Sequence, residues 1–320
     1  MMTASVGSNI ELARELLEQG SLVAIPTETV YGLAGNALNA EAVTSIFEVK
    51  ERPFFDPLIV HVASIESAIN YVTALPDQAR ALANQFWPGP LTLLLPKKTN
   101  IPDLVTAGLD RVGLRCPDHP LTQQLLQLLE FPLAAPSANP FGYVSPTTAQ
   151  HVVDQLGNKI PYVLDGGPCQ VGIESTIVGW ENSQAIIYRL GGITINQIES
   201  VIGKVHIQSH SSSNPQAPGQ LQNHYAPTKR FLLGNVQSLI REHHLKNPGI
   251  LTFQKMEHLP GAIHLVLSDT GDLHEAARNL FGMLRQLDKQ DIDAVIAEEV
   301  PNVGIGRAIN DRLRRAAATP

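Results

Sequence analysis

Apolar residues recur with two alternating spacings along the first two hundred positions, and this alternation predicts an α/β arrangement. Segments with apolar residues at helical spacing, such as the one capped by Asn39 and ending at Lys50, alternate with short apolar runs that are typical of buried strands. The predicted strands cover residues 22–25, 58–62, 91–95, 111–115, 133–135, 161–165, 175–179 and 185–190. The predicted helices cover residues 64–73, 76–86, 121–130 and 147–156, with others opened by a Ser8–Glu11 capping box, by Asn39 and by Thr194.

The remaining hundred residues repeat the alternation on a smaller scale and predict a second α/β domain. A strongly amphipathic helix is expected over 273–287, between strands near 249–253, 263–267 and 293–297. The stretch Gln208 to Gln220 has no apolar periodicity and the Ser, Pro, Gln and Asn content of a linker. We therefore predict a catalytic domain over 1–205, a linker or lid over 206–227 and a C-terminal α/β domain over 228–320.

Composition narrows the class of protein. The chain has 320 residues, a net charge of -7 and only 5% aromatic residues, which argues against a broad nucleic-acid-binding surface. Its two cysteines exclude a disulfide framework and any cysteine-built metal site. No signal peptide and no apolar run long enough to cross a bilayer is visible, so the sequence predicts a soluble, cytoplasmic protein without membrane contact.

Several Lys and Arg residues of the first domain lie in or beside predicted loops, although that domain is acidic. It contains 11 Lys and Arg residues and 19 Asp and Glu residues. Five of these cations lie beside glycines, prolines or strand ends: Lys50, Arg52, Arg111, Arg115 and Arg189. This placement favours a local anion site, whereas the alternative is that each cation pairs with a nearby carboxylate.

Polar turns after apolar strands are the other candidates for chemistry. The segments 26–33, 136–140 and 165–176 place hydroxyls, amides and glycines at strand ends, where α/β proteins commonly bind ligands. Ordinary turn formation is the alternative for each of them, and Thr147 is expected to cap the next helix. His61 lies inside an apolar strand, where a histidine is more often part of the core. A Walker-type phosphate loop is absent from the sequence.

Together these segments resemble the YrdC-like threonylcarbamoyl-AMP synthases. The motifs that carry the resemblance occur in the family's order: PTETVYGL, K-x-R-P-x-x-x-PLIVHV, WPGPLT, TAGLDRVGLRCPDHP, APSANPFG with SPT, DGG…GIESTIV and YRLGGIT. The NHYAP segment at Asn223 to Pro227 and the C-terminal GIGRAINDRLRRA are similar to the long, two-domain form. The resemblance implies a YrdC-like twisted open sheet with helices, followed by a smaller, Rossmann-like α/β domain.

The resemblance implies a nucleotidyltransferase. L-threonine, bicarbonate and ATP, with Mg²⁺ expected beside ATP, would give threonylcarbamoyl-adenylate and pyrophosphate for the threonylcarbamoyladenosine modification of tRNA. The product would pass to a downstream tRNA threonylcarbamoyltransferase, and direct contact with tRNA is expected to be weak or indirect. An alternative is an RNA-binding module that uses the arginines at 307, 312, 314 and 315.

The family's functional positions carry over residue by residue. The resemblance assigns ATP binding to Lys50, Arg52, Asp56, Arg111, Ser137, Asn139, Ser145, Arg189 and Tyr225, with Lys50 and Arg52 as the catalytic pair. It assigns L-threonine binding to Thr29, His61, Arg115, the backbone of Ala135 and Ser175, and no metal ligand to the protein. Asp56 departs from the family, which often has Asn there. A carboxylate repels phosphates unless a cation intervenes. Because Asn is the commoner residue of the family at this position and is nearly isosteric with Asp, exchange of Asp56 for Asn is expected to be tolerated.

Overall fold

Two sheets, each with helices packed against it, form the molecule, as the hydrophobic pattern predicted. The computed structural model describes residues 3–208, 215–217, 219, 225–257 and 259–318. Within these residues, eleven strands form one mixed sheet in the order β1-β8-β2-β3-β7-β4-β6-β5-β9-β10-β11, and four parallel strands form a second sheet in the order β12-β15-β13-β14. Most of the predicted linker, including Asn223 and His224, lies outside the described residues.

The larger sheet belongs to the first part of the chain. Its strands are β1 Ser5–Gly7, β2 Val23–Ile25, β3 Gly32–Asn36, β4 Ile59–His61, β5 Leu91–Pro96, β6 Arg111–Arg115, β7 Leu133–Ala134, β8 Tyr162–Leu164, β9 Thr176–Glu181, β10 Gln184–Arg189 and β11 His206–Ile207. Its helices are α1 Ile10–Glu18, α2 Ala40–Lys50, α3 Ile65–Ala68, α4 Asp77–Phe86, α5 Pro120–Leu128, α6 Ala149–Leu156 and α7 Ile195–Ile202. Separate apolar clusters cover its two faces.

The smaller sheet belongs to the C-terminal part. Its strands are β12 Phe231–Leu233, β13 Gly249–Thr252, β14 Ile263–Val266 and β15 Val295–Ala297, and its helices are α8 Val236–Glu242, α9 Leu273–Asp288 and α10 Gly306–Ala317. The amphipathic face predicted for α9 is confirmed, since Ala276, Leu280 and Leu284 are buried on it. None of the helices in the described ranges is long and apolar enough to cross a membrane.

One helix end shows how local sequence places a functional side chain. The Asn39 side chain accepts hydrogen bonds from the backbone of Glu41 and Ala42 and so caps α2. The helix ends at Lys50, and Glu51 takes a left-handed conformation with φ 56°. Lys50 therefore leaves the helix on its buried side, beneath the turn that contains Ser137.

Several local predictions were wrong. The helix expected over 64–73 is one turn, Ile65–Ala68, and caps lie one residue later than predicted, at Asn9 rather than Ser8 and at Thr148 rather than Thr147. The strand β3 was not predicted, because its sequence GLAGN has few residues that favour strands. It forms because it pairs with β2 and β7, two strands that are distant from each other in sequence.

The two parts share one apolar cluster. Residues of α9 and α10 pack against Val30, Val144 and Ile173 of the first part, and Tyr225 lies in the same cluster. Gly172 has φ 78°, and a Cβ atom there would collide with the backbone of α9. The C-terminal helices are thus docked directly on loops that follow strands of the larger sheet.

Candidate active site

A cavity of about 520 Å³, its mouth included, lies where loops from both parts of the chain meet. Its floor comes from β4, from the end of β6 and from the turn after β7. Its lining residues are Val30, Arg52, Pro57, Ile59, His61, Arg115, Ala135, Pro136, Ser137, Glu174, Arg189, Gly219 and Tyr225. Seven of the residues that the resemblance assigned to ATP or threonine therefore face one cavity.

Lys50 lies behind one wall of this cavity. Its Nζ atom donates to the backbone oxygens of Ser137 and Asn139, each at 2.5 Å, and its side chain is 1% exposed. Burial lowers the pKa of the Lys50 ammonium well below its usual range, and the charge of Arg52 lowers it further. The Lys50 amino group holds the 137–139 turn in place through these two hydrogen bonds.

Arg52 is held by the loop that follows it. Its Nε and Nη2 atoms donate to the backbone oxygens of Asp56 and Pro57 at 3.1 and 2.8 Å, and Nη2 lies 2.8 Å from Asp56 Oδ2. Both side chains are buried. Burial raises the pKa of the Asp56 carboxyl, and the charges of Arg52, Lys50 and Arg189 oppose that shift. Asp56 is therefore the acidic residue among the cationic side chains at this wall.

At another wall, Arg115 and His61 face the cavity from neighbouring strands. Arg115 Nη2 lies 2.7 Å from Glu28 Oε1, and Glu28 Oε2 accepts the backbone N–H of Asp118 at 3.0 Å. Burial and the charge of Arg115 lower the pKa of His61 to about 3, so its ring is neutral at pH 7. Among the described residues, His61 Nδ1 is buried and has no hydrogen-bond partner.

Thr29 and Ser175 lie just behind the lining. The Thr29 hydroxyl is 2.8 Å from the hydroxyl of Thr27. Ser175 Oγ is 2.7 Å from Thr92 Oγ1 and accepts from Arg189 Nη2 at 2.9 Å, while Arg189 Nε donates to the Ser175 backbone oxygen. These hydroxyls orient the wall of the cavity in the described structure and do not line it.

The structure does not bring Arg111 to the cavity. It lies at the opposite end of β6 from Arg115 and donates to the Tyr188 hydroxyl and to Gln216 Oε1, each at 3.0 Å. Asn139 also points away from the lining, since its amide donates to the backbone oxygens of Pro140 and Tyr143. The roles assigned to these two residues in binding ATP stay predictions.

Tyr225 lies between the cavity and the C-terminal part. It is 1% exposed, has φ 68°, lines the cavity and stacks on Phe281 with ring centroids 5.7 Å apart. The Arg312 guanidinium lies 5.2 Å from the centre of its ring. Tyr225 therefore lies at the site and packs against the second domain at the same time.

Sequence reasoning missed three charged side chains that are built into this site. Glu28 pairs with Arg115, and Glu174 accepts from Ser145 Oγ at 2.6 Å and from Arg312 Nε at 3.0 Å. Glu28 and Glu174 stand inside the PTETVYGL and GIESTIV motifs, which was the available signal. Arg312 stands inside the C-terminal GIGRAINDRLRRA motif, but its partner Glu174 lies 138 residues away, so the pairing itself had no local signal.

Two protein-family models match consecutive parts of the chain. A model described as Telomere recombination, which covers the Sua5, YciO and YrdC proteins, matches residues 15–191. A second, described as Threonylcarbamoyl-AMP synthase, C-terminal domain, matches residues 193–318. The chain belongs to the two-domain Sua5 family. The YrdC-like resemblance is thereby confirmed, whereas the exact domain and linker boundaries stay predictions.

Similar proteins agree with this membership in the Sua5 family. A threonylcarbamoyl-AMP synthase of Bacillus subtilis is 40% identical, with 96% of this chain and 92% of that protein covered, and one of Pyrococcus abyssi is 39% identical, with 96% and 94% covered. The crystal structure of Pyrococcus abyssi Sua5 complexed with L-threonine has a TM-score of 0.90 at 37% identity and covers 99% of this chain and 98% of that one. The α/β fold with two sheets is therefore that of Sua5 proteins.

Family membership does not support the RNA-binding alternative. That alternative depended on a group of C-terminal arginines, and the fold does not present them together at the surface. The C-terminal arginines are not one surface patch. Arg312 and Arg315 are 1% and 2% exposed and point into the protein, while the exposed Arg314 is paired with Glu299. Few of these cations are thus available to phosphates of a nucleic acid.

Proposed function

We propose that this chain joins L-threonine, bicarbonate and ATP into threonylcarbamoyl-adenylate and pyrophosphate. The observation that carries the proposal is that one cavity gathers three buried guanidinium groups, those of Arg52, Arg115 and Arg189, in an acidic protein. Buried cations of this kind suit a carboxylate at one wall and a polyphosphate at another. The bound threonine in the similar Pyrococcus abyssi structure supports the amino-acid half.

L-threonine is placed at the Arg115 wall. The Arg115 guanidinium can bind the substrate carboxylate through two parallel hydrogen bonds, and Glu28 keeps the guanidinium in position from behind. The neutral ring of His61 lines the same wall and would hydrogen-bond the substrate hydroxyl or amine. Thr29, Ser175 and the Ala135 backbone shape the same wall.

Under this proposal, ATP binds at the Arg52 wall, beside Gly219 and Tyr225. Arg52 and Arg189 would neutralise the phosphates, and Lys50 would support the turn beside them. The other residues proposed to bind ATP are Ser137, Asn139, Ser145 and Tyr225. The threonine ammonium first loses a proton, and the free amine then adds to bicarbonate and releases water, which leaves a carbamate. A carbamate oxygen then forms a bond to the α-phosphorus, and the bond from that phosphorus to the bridging oxygen breaks, releasing pyrophosphate. Positioning and charge neutralisation are sufficient for this displacement.

The residues present do not build a Mg²⁺ site of their own. The described residues contain no group of three His, Cys, Asp or Glu side chains that could hold a metal. The two carboxylates nearest the phosphate wall, Asp56 and Glu174, are already paired with Arg52 and Arg312. Mg²⁺ would therefore enter as part of the ATP substrate, held by its phosphates and water.

The test is pyrophosphate release by the full-length chain with ATP and bicarbonate, supplied with each of the twenty amino acids separately. We expect release with L-threonine and little with the others, and loss of release when bicarbonate is removed. Release that does not depend on threonine or on bicarbonate would contradict the proposal. A salt-sensitive tRNA mobility shift without threonine-dependent release would instead indicate RNA binding.

Three further assignments belong to this proposal. A tRNA threonylcarbamoyltransferase would consume the product, because a mixed anhydride of a carbamate and AMP is too reactive to be a final product. Contact of this chain with tRNA would be weak or indirect, in keeping with its net charge of -7. The reaction would take place in the cytoplasm, where ATP and tRNA are present.

A further inference from the structure

The C-terminal helix α10 sends one arginine into the wall of the cavity. Arg312 is 1% exposed, although it belongs to the second domain. Its Nε atom donates to Glu174 Oε2 at 3.0 Å, and its Nη1 atom donates to the Leu190 backbone oxygen at 2.7 Å and to Asp311 at 2.9 Å. Two of these three partners belong to the first domain, so the guanidinium joins the domains at the site itself.

Glu174 is the carboxylate among the residues that line the cavity. Both of its oxygens are engaged, since Oε1 accepts from Ser145 Oγ at 2.6 Å and Oε2 accepts from Arg312. A buried carboxylate beside a triphosphate would oppose ATP binding if it were unpaired. Arg312 therefore provides the charge that makes this wall compatible with ATP.

The same helix holds the two described linker residues that line the cavity. The Arg312 guanidinium lies over the Tyr225 ring at 5.2 Å, and Arg315 donates to the Gly219 backbone oxygen. Gly219 has φ 75°, and a Cβ atom there would lie 3.0 Å from the Tyr225 hydroxyl. Gly219 and Tyr225 therefore lie beside the cavity and are held there by contacts to α10.

We propose that Arg312 is a positioning residue through which the C-terminal domain completes the ATP half of the active site. It neutralises Glu174, which orients Ser145, and it fixes the ring of Tyr225 over the cavity. This inference rests on the proposed function and deepens it. Arg115 and His61, at the threonine wall, are held by Glu28 and by strand β4 and so do not depend on Arg312.

The experiment compares R312M, R312K, E174Q, the double variant E174Q/R312M and the control R314M. Arg314 lies on the same helix but is exposed and pairs with Glu299, outside the site. For each full-length variant, the KM values for ATP and threonine, kcat, the melting temperature and the Kd for ATP are measured. The calorimetric Kd for ATP tests the inference even if the enzyme proves to use another amino acid.

We expect R312M to weaken ATP binding by about tenfold or more, because it leaves the Glu174 charge unpaired. The KM for threonine should change by less than about twofold, and R314M should match the wild type. The double variant should regain a large part of the lost ATP affinity, because it removes the unpaired charge together with its partner. R312K, which keeps a charge but loses the planar fork, should fall between wild type and R312M.

Three results would overturn the inference: wild-type ATP affinity in R312M, no recovery in the double variant, or equal weakening of both substrates in step with the melting temperature. If R312M does not fold, the neutral pair in E174Q/R312M and the intermediate R312K carry the same test. Wild-type enzyme that binds ATP but releases no pyrophosphate with threonine would instead count against the proposed function.

Discussion

Asp56→Asn removes one negative charge from a buried group of cations and changes almost nothing in shape. In the structure, Asp56 Oδ2 lies 2.8 Å from Arg52 Nη2, and the charges of Lys50 and Arg189 also act on this carboxyl. An Asn side chain would keep an oxygen beside the Arg52 guanidinium. After the exchange, Glu174 is the carboxylate left in the cavity lining, and it is paired with Arg312, so Arg52 has no carboxylate partner until phosphates arrive.

The size of the effect follows from that charge balance. Removing one partner of a buried ion pair destabilises a protein by about 3–5 kcal/mol. The Arg52 hydrogen bonds to the backbone oxygens of Asp56 and Pro57 do not involve the exchanged atoms, which places this case near the lower end. For a protein of this size, a loss of about 3 kcal/mol lowers the melting temperature by roughly 5–10 °C. The same missing charge should strengthen ATP binding by about tenfold, which corresponds to about 1.4 kcal/mol.

Differential scanning fluorimetry of both proteins, alone and with ATP, tests these two opposite effects. The variant should melt earlier when free and should recover most of the difference with saturating ATP, because a ligand that binds the folded state raises its stability. An unchanged melting temperature together with unchanged or weaker ATP binding would refute the charge argument. A Mg²⁺ titration runs in parallel, since a large rise in the Mg²⁺ needed for half-maximal rate would identify Asp56 as a metal ligand.

Three further predictions follow from the same site. Lys50→Ala should lower kcat by at least a hundredfold, which corresponds to about 3–4 kcal/mol. The variant should also melt at a lower temperature, because two buried carbonyl oxygens lose their hydrogen-bond donor. Wild-type turnover at saturating ATP would exclude Lys50 from the reaction. The pKa of His61 is about 3 in the folded protein and 6.5 in the unfolded chain. As the pH falls from 6.5 toward 3, the unfolded chain binds a proton at this residue and the folded protein does not, so the free energy of unfolding decreases. His61→Gln should flatten that part of the urea-derived stability curve, whereas exchange of the exposed His206 should not. Valine should be turned over far more slowly than threonine, because it leaves the buried polar wall unpaired; equal rates of pyrophosphate release would disprove this.

Local sequence was sufficient for much of the fold. The Asn39 cap and the apolar spacing after it predicted α2 and placed Lys50 at its end, and the apolar alternation over 273–287 predicted α9. These features depend on neighbours within a few residues, so they can be inferred from the chain alone. The resemblance to the YrdC-like family, carried by motifs at strand ends, likewise assigned seven of the residues that line the cavity.

Partnerships between distant residues could not be inferred in this way. Arg312 and Glu174 are separated by 138 residues, and although each stands inside a motif, nothing in either local sequence indicates that they pair with each other. β3 forms only because β2 and β7 lie on either side of it. The chain by itself determined which side chains are available at strand and helix ends. The tertiary structure decided which of them are paired, buried or turned toward the cavity, because burial and ion pairing depend on residues that only folding brings together.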